Sequence, residues 1–252
     1  MESSERLALV IDTVQREGKV GVAQMAEVAG TSEMTIRRDL EQLAAQGLVR
    51  RVRGGAISLM LRGDEPPFNV RAAESTQAKV RIAAEVNRLL LDGEAVVIDS
   101  GTTGLEVARA IAGRRMTVVP LSLHAALALT SSAPTVVVIP GGELRPIELA
   151  LVGPMTESGI RSLRFDTAVI TCCGLSTTHG LTAHDLVEAA AKRAAIESSR
   201  RIVVAADAEK FARTALAAIC AIDRIDVLIT DSRAPANEVA AIERLGVEVR
   251  CV

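Results

Sequence analysis

Residues 31–40 read Thr-Ser-Glu-Met-Thr-Ile-Arg-Arg-Asp-Leu, and this stretch decides how the first part of the chain folds. Ser32 is a good N-cap, because its hydroxyl can accept a hydrogen bond from a free amide of the first helical turn. At about 100° per residue, Ile36, Leu40 and Leu43 project onto one face of the helix that follows. The stretch therefore predicts an amphipathic helix that buries its apolar face and exposes its basic one.

Two helices precede this one and a β-hairpin follows it. Apolar residues recur at helical spacing over residues 7–14, and Gly18 stops the first helix. A short second helix covers residues 22–29, a tight turn at Gly30-Thr31 follows, and Gly47 ends the third helix. Residues 48–57 alternate and then turn at a glycine pair, which is typical of a β-wing. We predict a winged helix-turn-helix domain over residues 1–57, with its third helix offered to the major groove of double-stranded DNA.

The outer side of the third helix and the wing carry the residues expected to contact DNA. Arginine can read guanine or hold phosphate, and threonine can do either. Residues 36–53 contain five arginines and two acids, which gives a local charge of +3. The whole of residues 1–57 contains eight bases and eight acids and is neutral. The alternative is that these charged residues only form a solvent-exposed helix face and do not contact DNA. The predicted DNA-binding residues are Ser32, Met34, Thr35, Arg37, Arg38, Arg50, Arg51 and Arg53.

Composition limits the other functions. The 252 residues carry 29 Lys+Arg against 31 Asp+Glu, a net charge of −2, so any basic surface must be local. Three Phe and no Trp or Tyr argue against stacking platforms for single-stranded nucleic acid. The four cysteines form no CxxC pair, so we expect buried, reduced thiols in a cytoplasmic protein, with no metal and no cofactor.

No stretch predicts a membrane segment. The first residues include early acids and no clean apolar run, unlike a signal peptide. Residues 116–142 lack Asp, Glu, Lys and Arg, but three prolines and several serines interrupt them. A strand, a helix and a strand in a buried layer explain this stretch better than a spanning helix.

The rest of the chain predicts a second, larger domain. Residues 58–75 include Pro66-Pro67 and read as a linker. From residue 76 to residue 252, Ala-rich amphipathic helices alternate with short β-branched runs, which indicates an α/β domain with a mainly parallel sheet covered on both faces. The predicted strands cover residues 95–98, 117–119, 135–139, 167–171, 202–206, 227–230 and 247–249.

Polar residues follow several of these strands. A strand that leads through Gly and hydroxyl residues into a helix N-terminus makes an anion pocket, although a plain capped turn is the alternative. The loop at residues 99–103, which follows the predicted strand 95–98, matches neither a Walker loop nor a GxGxxG fingerprint, so ATP and dinucleotides are not expected. Lys210 is a plausible phosphate ligand, and Asp99, Asp166 and Asp207 could accept sugar hydroxyls at the carboxyl ends of strands. The predicted effector-binding residues are Asp99, Ser100, Gly101, Thr102, Thr103, Gly141, Gly142, Asp207 and Lys210.

Residues 31–40, followed by Leu43, Gly47 and the RVRGGA of residues 51–56, resemble the DeoR family of bacterial transcriptional regulators. The family pattern is S-x-x-T-I-R-R-D-L, then a leucine, a glycine and R-x-x-G-G. The resemblance implies a sensor domain that is similar in fold to ribose-5-phosphate isomerase and the coenzyme A transferases, and that binds phosphorylated sugars or related metabolites. The residues that match its effector-site motifs are those named above, and Asp166, Gly174, Glu188 and Lys192 also match family positions.

The chain departs from the family at two places. The usual Thr-Asn-Ser after the second sheet strand is Pro120-Leu121-Ser122 here. The usual D-S-S-K is Asp207-Ala208-Glu209-Lys210, which puts an acid beside the predicted phosphate lysine.

The function expected from these observations is a sequence-specific repressor of carbohydrate or related metabolism. It would bind operator DNA as a homodimer or homotetramer and respond to a sugar or polyol phosphate. The alternative is a sugar-phosphate isomerase with an appended DNA-binding domain, but the acidic D-G-A-D-E segment of the isomerases is reduced to Asp166-Thr167-Ala168. The pair His184-Asp185 is expected to cap a helix, and Glu188 with Lys192 to form an i,i+4 helix pair or to serve the effector site.

Overall fold

The computed structural model describes residues 3–45, 48–59, 66–130, 134–146 and 148–252. It divides into two units, Met1–Glu74 and Ser75–Val252. The predicted helix end at Gly47 and residues 60–65 of the predicted linker lie outside the described residues.

The first unit contains the predicted helices and wing. Val10, Ile36 and Leu40 are buried in one apolar core that all three helices share. The hairpin gains an edge strand at residues 19–21 that the sequence analysis did not predict, because three residues are too short for a visible alternation. The elements are α1 (Ser3–Glu17), β1 (Lys19–Gly21), α2 (Val22–Val28), α3 (Glu33–Ala45), β2 (Val49–Val52), β3 (Gly55–Ser58) and α4 (Phe68–Ala73), with the strands paired antiparallel in the order β1-β3-β2.

Part of the predicted linker is helical. Helix α4 covers Phe68–Ala73, and its Val70 joins the apolar core of the first unit. The Arg71 guanidinium donates a hydrogen bond of 2.8 Å to the carbonyl of Pro66 and lies over the Phe68 ring. The chain between α4 and the next helix is therefore Glu74 and Ser75 alone.

The second unit is an α/β fold of three layers. Its helices are α5 (Thr76–Leu89), α6 (Thr102–Ile111), α7 (Leu123–Leu129), α8 (Pro154–Arg161), α9 (Leu186–Glu197) and α10 (Ala236–Glu243), with short 3-10 turns at Ala208–Ala212 and Ile222–Arg224. Its strands are β4 (Ala95–Ile98), β5 (Thr117–Pro120), β6 (Val136–Val137), β7 (Glu143–Arg145), β8 (Ala150–Val152), β9 (Phe165–Ile170), β10 (Gly174–Ser176), β11 (Gly180–Ala183), β12 (Ser199–Ala205), β13 (Ala217–Cys220), β14 (Val227–Thr230) and β15 (Glu248–Cys251).

Seven strands form one parallel sheet in the order β15-β14-β12-β9-β4-β5-β6. Each of the seven predicted β-branched runs contributes one of these strands, so the predicted parallel sheet is confirmed. Successive residues alternate between two apolar clusters: Val96 and Ile98 lie in one, and Val97 lies in the other. Both faces are therefore covered by helices, as the continuously apolar strands indicated.

The strand order reverses between β4 and β9. From β4 the chain adds β5 and then β6 toward one edge of the sheet. From β9 it adds β12, β14 and β15 toward the other edge. Open α/β sheets bind ligands in the crevice outside the carboxyl ends of the strands at such a switch point. By this rule, the ligand crevice is expected beside the residues that follow β4 and β9.

Five short strands lie outside this sheet and were not predicted. Strands β7 and β8 form an antiparallel hairpin, and β10, β11 and β13 form a small antiparallel sheet. Each of them has three or four residues, too few for periodicity to separate from a loop.

The cysteine and membrane predictions have different outcomes. Cys172 and Cys173 are buried and Cys220 is half-buried, but Cys251 is exposed in the last strand, so the prediction of buried thiols was wrong for that residue. Residues 116–142 give the predicted strand, helix and strand in β5, α7 and β6, with residues 131–133 outside the described ranges. Within the described residues, no helix has the length and apolar character needed to cross a membrane.

Candidate functional site

Helix α3 presents its predicted polar face to solvent. Ile36 and Leu40 are fully buried, whereas Met34 is 59% exposed and Arg38 is also exposed. The predicted N-cap is confirmed, because the Thr35 amide donates a hydrogen bond of 3.2 Å to the Ser32 hydroxyl. The geometry leaves the first turns of α3 open for base or phosphate contacts.

A buried ion pair fixes α3 against α1. The Arg6 guanidinium binds both carboxylate oxygens of Asp39, at 2.6 and 3.1 Å, and Asp39 is only 5% exposed. Bidentate pairs of this kind define orientation as well as energy. Asp39 was not among the predicted functional residues, although an acid inside a basic run is a signal for such a partner. The pair also removes one of the two acids from the charge of the exposed face.

The remaining arginines of this face differ in their partners. Arg37 pairs with Glu33 at 2.7 Å, and Arg51 donates hydrogen bonds of 3.2 Å to the Arg37 carbonyl and to Glu41. Three further arginines are exposed and form no hydrogen bond or ion pair with any residue in the described ranges, namely Arg38, Arg50 and Arg53. Their charges are therefore available to DNA phosphates or bases.

The glycine pair of the wing is required by close packing. Gly54 has a φ of +79°, which L side chains rarely adopt. A Cβ at Gly55 would lie 1.9 Å from the Val20 carbonyl oxygen of the neighbouring strand. The glycines therefore let the wing turn and lie against β1, which fixes the position of its arginines.

The loop after β4 opens the candidate effector site of the second unit. Gly101 has a φ of +93° and leads directly into α6, so the first amides of α6 point toward the carboxyl edge of the sheet. Thr102 and Thr103 form the first turn and are each 6% exposed. At Gly104, a Cβ would lie 2.2 Å from the Asp99 carbonyl oxygen, so only glycine lets the helix start this close to the strand.

The Asp99 carboxylate is held inside the fold. It accepts hydrogen bonds of 2.8 Å from the Ser100 amide and from both the amide and the hydroxyl of Thr171, which follows β9. The Lys192 ammonium on α9 pairs with the same carboxylate at 2.5 Å, and both side chains are almost fully buried. Asp99 thus connects the two strands that flank the switch point.

The charge chain continues outward from Lys192. Lys192 lies 3.1 Å from Glu188, which accepts a hydrogen bond of 2.9 Å from the Ser100 hydroxyl and pairs with Arg145 of β7 at 2.7 Å. Burial disfavours the carboxylate, but the charge of Lys192, the hydrogen bonds from Ser100 and Lys192, and the charge of Arg145 outweigh it and lower the pKa of Glu188 to about 2. Glu188 and Lys192 were predicted either to form an ordinary helix pair or to serve the effector site, and Arg145 was not predicted to have a role. The structure brings all three to the switch point.

The predicted glycines at 141–142 form a tight turn on α8. Gly142 has a φ of +114°, and a Cβ there would lie 1.8 Å from the Thr156 hydroxyl. That hydroxyl lies 2.8 Å from the carbonyls of Gly141 and Val152. The turn leads into the β7–β8 hairpin, which brings Arg145 to Glu188.

The predicted residues after β12 lie in the 3-10 turn Ala208–Ala212. Asp207 caps this turn by accepting a hydrogen bond of 3.0 Å from the Glu209 amide. Lys210 is half-buried, and its ammonium has no hydrogen-bond or ion-pair partner among the residues that the structure describes. Burial raises the pKa of the Cys172 thiol, which follows β9, to about 12, and the positive charge of Lys210 acts against the rise.

Asp166 was placed wrongly by sequence reasoning. It lies at the start of β9, where its carboxylate accepts a hydrogen bond of 2.9 Å from the Ala95 amide at the start of β4. Since the two strands are parallel, this is the edge of the sheet opposite the crevice. The capping role expected for His184-Asp185 is confirmed, because Asp185 accepts a hydrogen bond of 2.8 Å from the Glu188 amide.

A winged helix-turn-helix unit followed by a parallel α/β unit is an arrangement found in one class of proteins, the DNA-binding transcriptional regulators with a sensor domain. Residues 6–60 match the model of the DeoR-like helix-turn-helix domain, and residues 74–232 match that of the DeoR C-terminal sensor domain. The chain belongs to the DeoR family, and it is a DNA-binding transcriptional regulator.

Full-length relatives agree with this assignment. The transcriptional repressor AccR of Agrobacterium fabrum is 32% identical over 91% of this chain and 90% of its own length. The glycerol-3-phosphate regulon repressor of Escherichia coli is 32% identical over 94% of each chain. The ribose 5-phosphate isomerase of Methanocaldococcus jannaschii aligns over 55% of each chain at 15% identity with a TM-score of 0.41, a similarity too weak to carry an argument.

Proposed function

We propose that this regulator represses genes of carbohydrate metabolism and leaves its operator when a phosphorylated sugar or polyol binds at the switch point. The observation that carries the proposal is the set of polar groups at the carboxyl ends of the strands beside the switch point. The N-terminal turn of α6 lies at the carboxyl end of β4, and the ammonium of Lys210, which has no partner among the described residues, follows the carboxyl end of β12 on the other side of β9. Helix N-termini and lysine are complementary to a phosphate group.

The spacing of these groups across the sheet supports a small phosphorylated ligand. Strands β4, β9 and β12 are neighbours, so the loop after β4 and the turn after β12 are separated by two strand spacings, about 10 Å. A phosphorylated sugar or polyol is long enough to reach across this distance. The hydroxyls of Ser100, Thr102 and Thr103 add hydrogen-bond donors and acceptors for the part of the ligand that lies at the α6 end of this span.

Similar proteins support the choice of repression and of ligand class. Two relatives are named as the glycerol-3-phosphate regulon repressor and the putative aga operon transcriptional repressor of Escherichia coli, the latter 30% identical over 98% of this chain and 93% of its own length. We infer that the chain acts as a homodimer or homotetramer assembled through the second unit. Two DNA-binding units on two half-sites would supply the affinity that one small unit lacks.

We propose no enzymatic role for the crevice. Isomerisation of a sugar phosphate needs a carboxylate base beside the substrate. Asp99 is saturated by Lys192 and its hydrogen bonds, Asp207 caps its turn, and Asp166 lies at the opposite edge. Glu188 is bound to Lys192 and Arg145, so its lowered pKa suits a structural anion better than a base.

The proposal is tested by titrating DNA from upstream of its own gene with the protein, with and without a panel of sugar and polyol phosphates. We expect specific binding that one of these compounds releases. Lys210→Gln should retain DNA binding and lose the release. The matched control is Arg200→Gln, which removes an exposed charge from the opposite end of the same strand and should respond like the wild type. Turnover of a sugar phosphate, or no release by any compound, would contradict the proposal.

A further inference from the structure

The joint between the two units is two residues long. Helix α4 ends at Ala73 and α5 begins at Thr76. Ser75 has a φ of +50° and a ψ of 30°, a left-handed conformation that residues other than glycine and asparagine rarely adopt. With so short a joint, the backbone angles of these two residues govern where the chain leaves the second unit.

Two side chains hold Ser75 in this conformation. Its hydroxyl donates a hydrogen bond of 3.1 Å to Glu209 and accepts one of 3.2 Å from Arg233. Glu209 belongs to the 3-10 turn that also carries Lys210. The first residue of the second unit is therefore bonded to the turn that faces the crevice.

The contacts close into a ring. The Arg233 guanidinium binds Asp231 at 2.8 Å, and the fully buried Asp231 accepts a hydrogen bond of 2.8 Å from the Ala208 amide. Ala208 begins the 3-10 turn, and Glu209 is the next residue. We name this ring, formed by Ser75, Glu209, Arg233, Asp231 and the Ala208 amide, the Ser75 latch.

We propose that the Ser75 latch transmits occupancy of the crevice to the joint between the sensor unit and the DNA-binding unit. A ligand that draws Lys210 toward its phosphate displaces the same five-residue turn. Glu209 then moves relative to Ser75, and the left-handed conformation of Ser75 loses the contact that holds it. This inference rests on the proposed function, because it uses the same crevice and the same lysine.

The latch also gives a role to a departure of the sequence. Where the family usually has D-S-S-K, this chain has Glu209 directly before Lys210. The carboxylate reaches Ser75 and also pairs with Arg213 at 3.4 Å. The acid is thus used for the latch and not for the ligand.

Amide hydrogen exchange on the full chain tests the latch without a known effector. The Lys79 amide bonds to the Ser75 carbonyl at 3.0 Å, so exchange over residues 74–82 reports on the joint. We expect Ser75→Ala and Glu209→Ala to exchange about fivefold faster there. The control is Glu157→Ala, which breaks a similar i,i+4 pair with Arg161 on α8 and should leave residues 74–82 unchanged. Unchanged exchange in both latch variants would overturn the inference.

The same measurement with inorganic phosphate separates the inference from the proposed function. In the wild type, phosphate should protect residues 207–213 and accelerate exchange over residues 74–82. In Glu209→Ala it should only protect residues 207–213. Protection at 207–213 without any change at 74–82 would overturn the latch and leave the effector site standing. Absence of protection at 207–213 would contradict the effector site, and the variant comparison without phosphate would still decide the contacts of the latch.

Discussion

The DNA-binding surface of the first unit and the candidate effector site of the second unit differ in the burial of their charged residues. In the DNA-binding unit, Arg38, Arg50 and Arg53 lie in solvent with no partner among the described residues. In the sensor unit, Asp99 and Lys192 are almost fully buried and bound to each other. One surface keeps its charges available for a polyanion, and the other uses them to hold a crevice in shape.

The difference teaches where each kind of charge acts. Exposed cations contribute little to the free energy of folding. They contribute to the free energy of DNA binding, because neutralising phosphates releases counterions from the DNA. A buried ion pair gives little net stability over an apolar pair, but breaking it leaves a charge uncompensated. Substitutions of the buried Asp99 and Lys192 should therefore affect folding first, and substitutions of the exposed Arg38, Arg50 and Arg53 should affect DNA binding alone.

Lys192→Met is expected to give the largest effect. It would leave the buried Asp99 and the nearby Glu188 without their shared cation. Removing one member of a buried pair costs about 3–5 kcal/mol of unfolding free energy. Urea unfolding of the second unit measures this loss, and Asp99→Asn combined with Lys192→Met should recover part of it. A single variant as stable as the wild type would contradict the buried pair.

The pH dependence of stability should follow Glu188. Its pKa is lowered from 4.5 to about 2 in the folded chain, so its contribution is complete above the unfolded pKa and is lost as the pH falls toward the folded one. A shift of this size corresponds to a contribution on the order of 3 kcal/mol. The difference in unfolding free energy between wild type and Glu188→Gln should shrink between pH 4.5 and pH 2.

The exposed pair on α8 supplies the control for that experiment. Glu157 is half-buried, at 23% exposure, but its partner Arg161 is 48% exposed, so solvent screens the pair and Glu157→Gln should change stability little at any pH in this range. A Glu188→Gln difference that stays constant on acidification would assign its effect to packing rather than to charge.

The fold was largely readable from the sequence because its signals are local. The run 95–98 and the helix face of Ile36 and Leu40 depend on periodicity within one element, and each predicted strand and helix was found. The short antiparallel strands were missed because three or four residues are too few for an alternation to be visible. Asp166 was misplaced although the predicted strand at 167–171 directly follows it, which already puts it at the amino end of that strand.

The candidate site was readable only in part. The loop 99–103 carries a strand-to-helix signature, but the partners of its Asp99 come from residues 171 and 192, far along the chain. Arg145 carries no local signal, because only the β7–β8 hairpin brings it to Glu188. Long-range ion pairs of this kind determine which polar groups remain free to bind a ligand. Their partners are far apart along the chain, so one sequence alone does not reveal them.

Arg38→Ala should weaken operator binding without affecting the fold. If Arg38 makes a bidentate base contact, the loss is about 1–3 kcal/mol and discrimination at that base relaxes. The matched control is Arg16→Ala, which removes an arginine that is 67% exposed at the end of α1. Both variants should unfold at the same urea concentration as the wild type. Equal operator affinity of Arg38→Ala and wild type at fixed salt would remove this residue from the interface.

The smallest effects should separate the two kinds of wing arginine. Arg53 has no partner in the described residues, whereas Arg51 shares its charge with Glu41 at 3.2 Å. A lysine or arginine that neutralises one phosphate contributes about 0.9 to the slope of log K against log salt. Arg53→Ala should lose this full increment, whereas Arg51→Ala should lose less, because Glu41 already offsets part of its charge. Titrations at several salt concentrations measure both slopes, and a larger loss for Arg51→Ala would show that the ion pair opens on DNA and that the free chain understates its role.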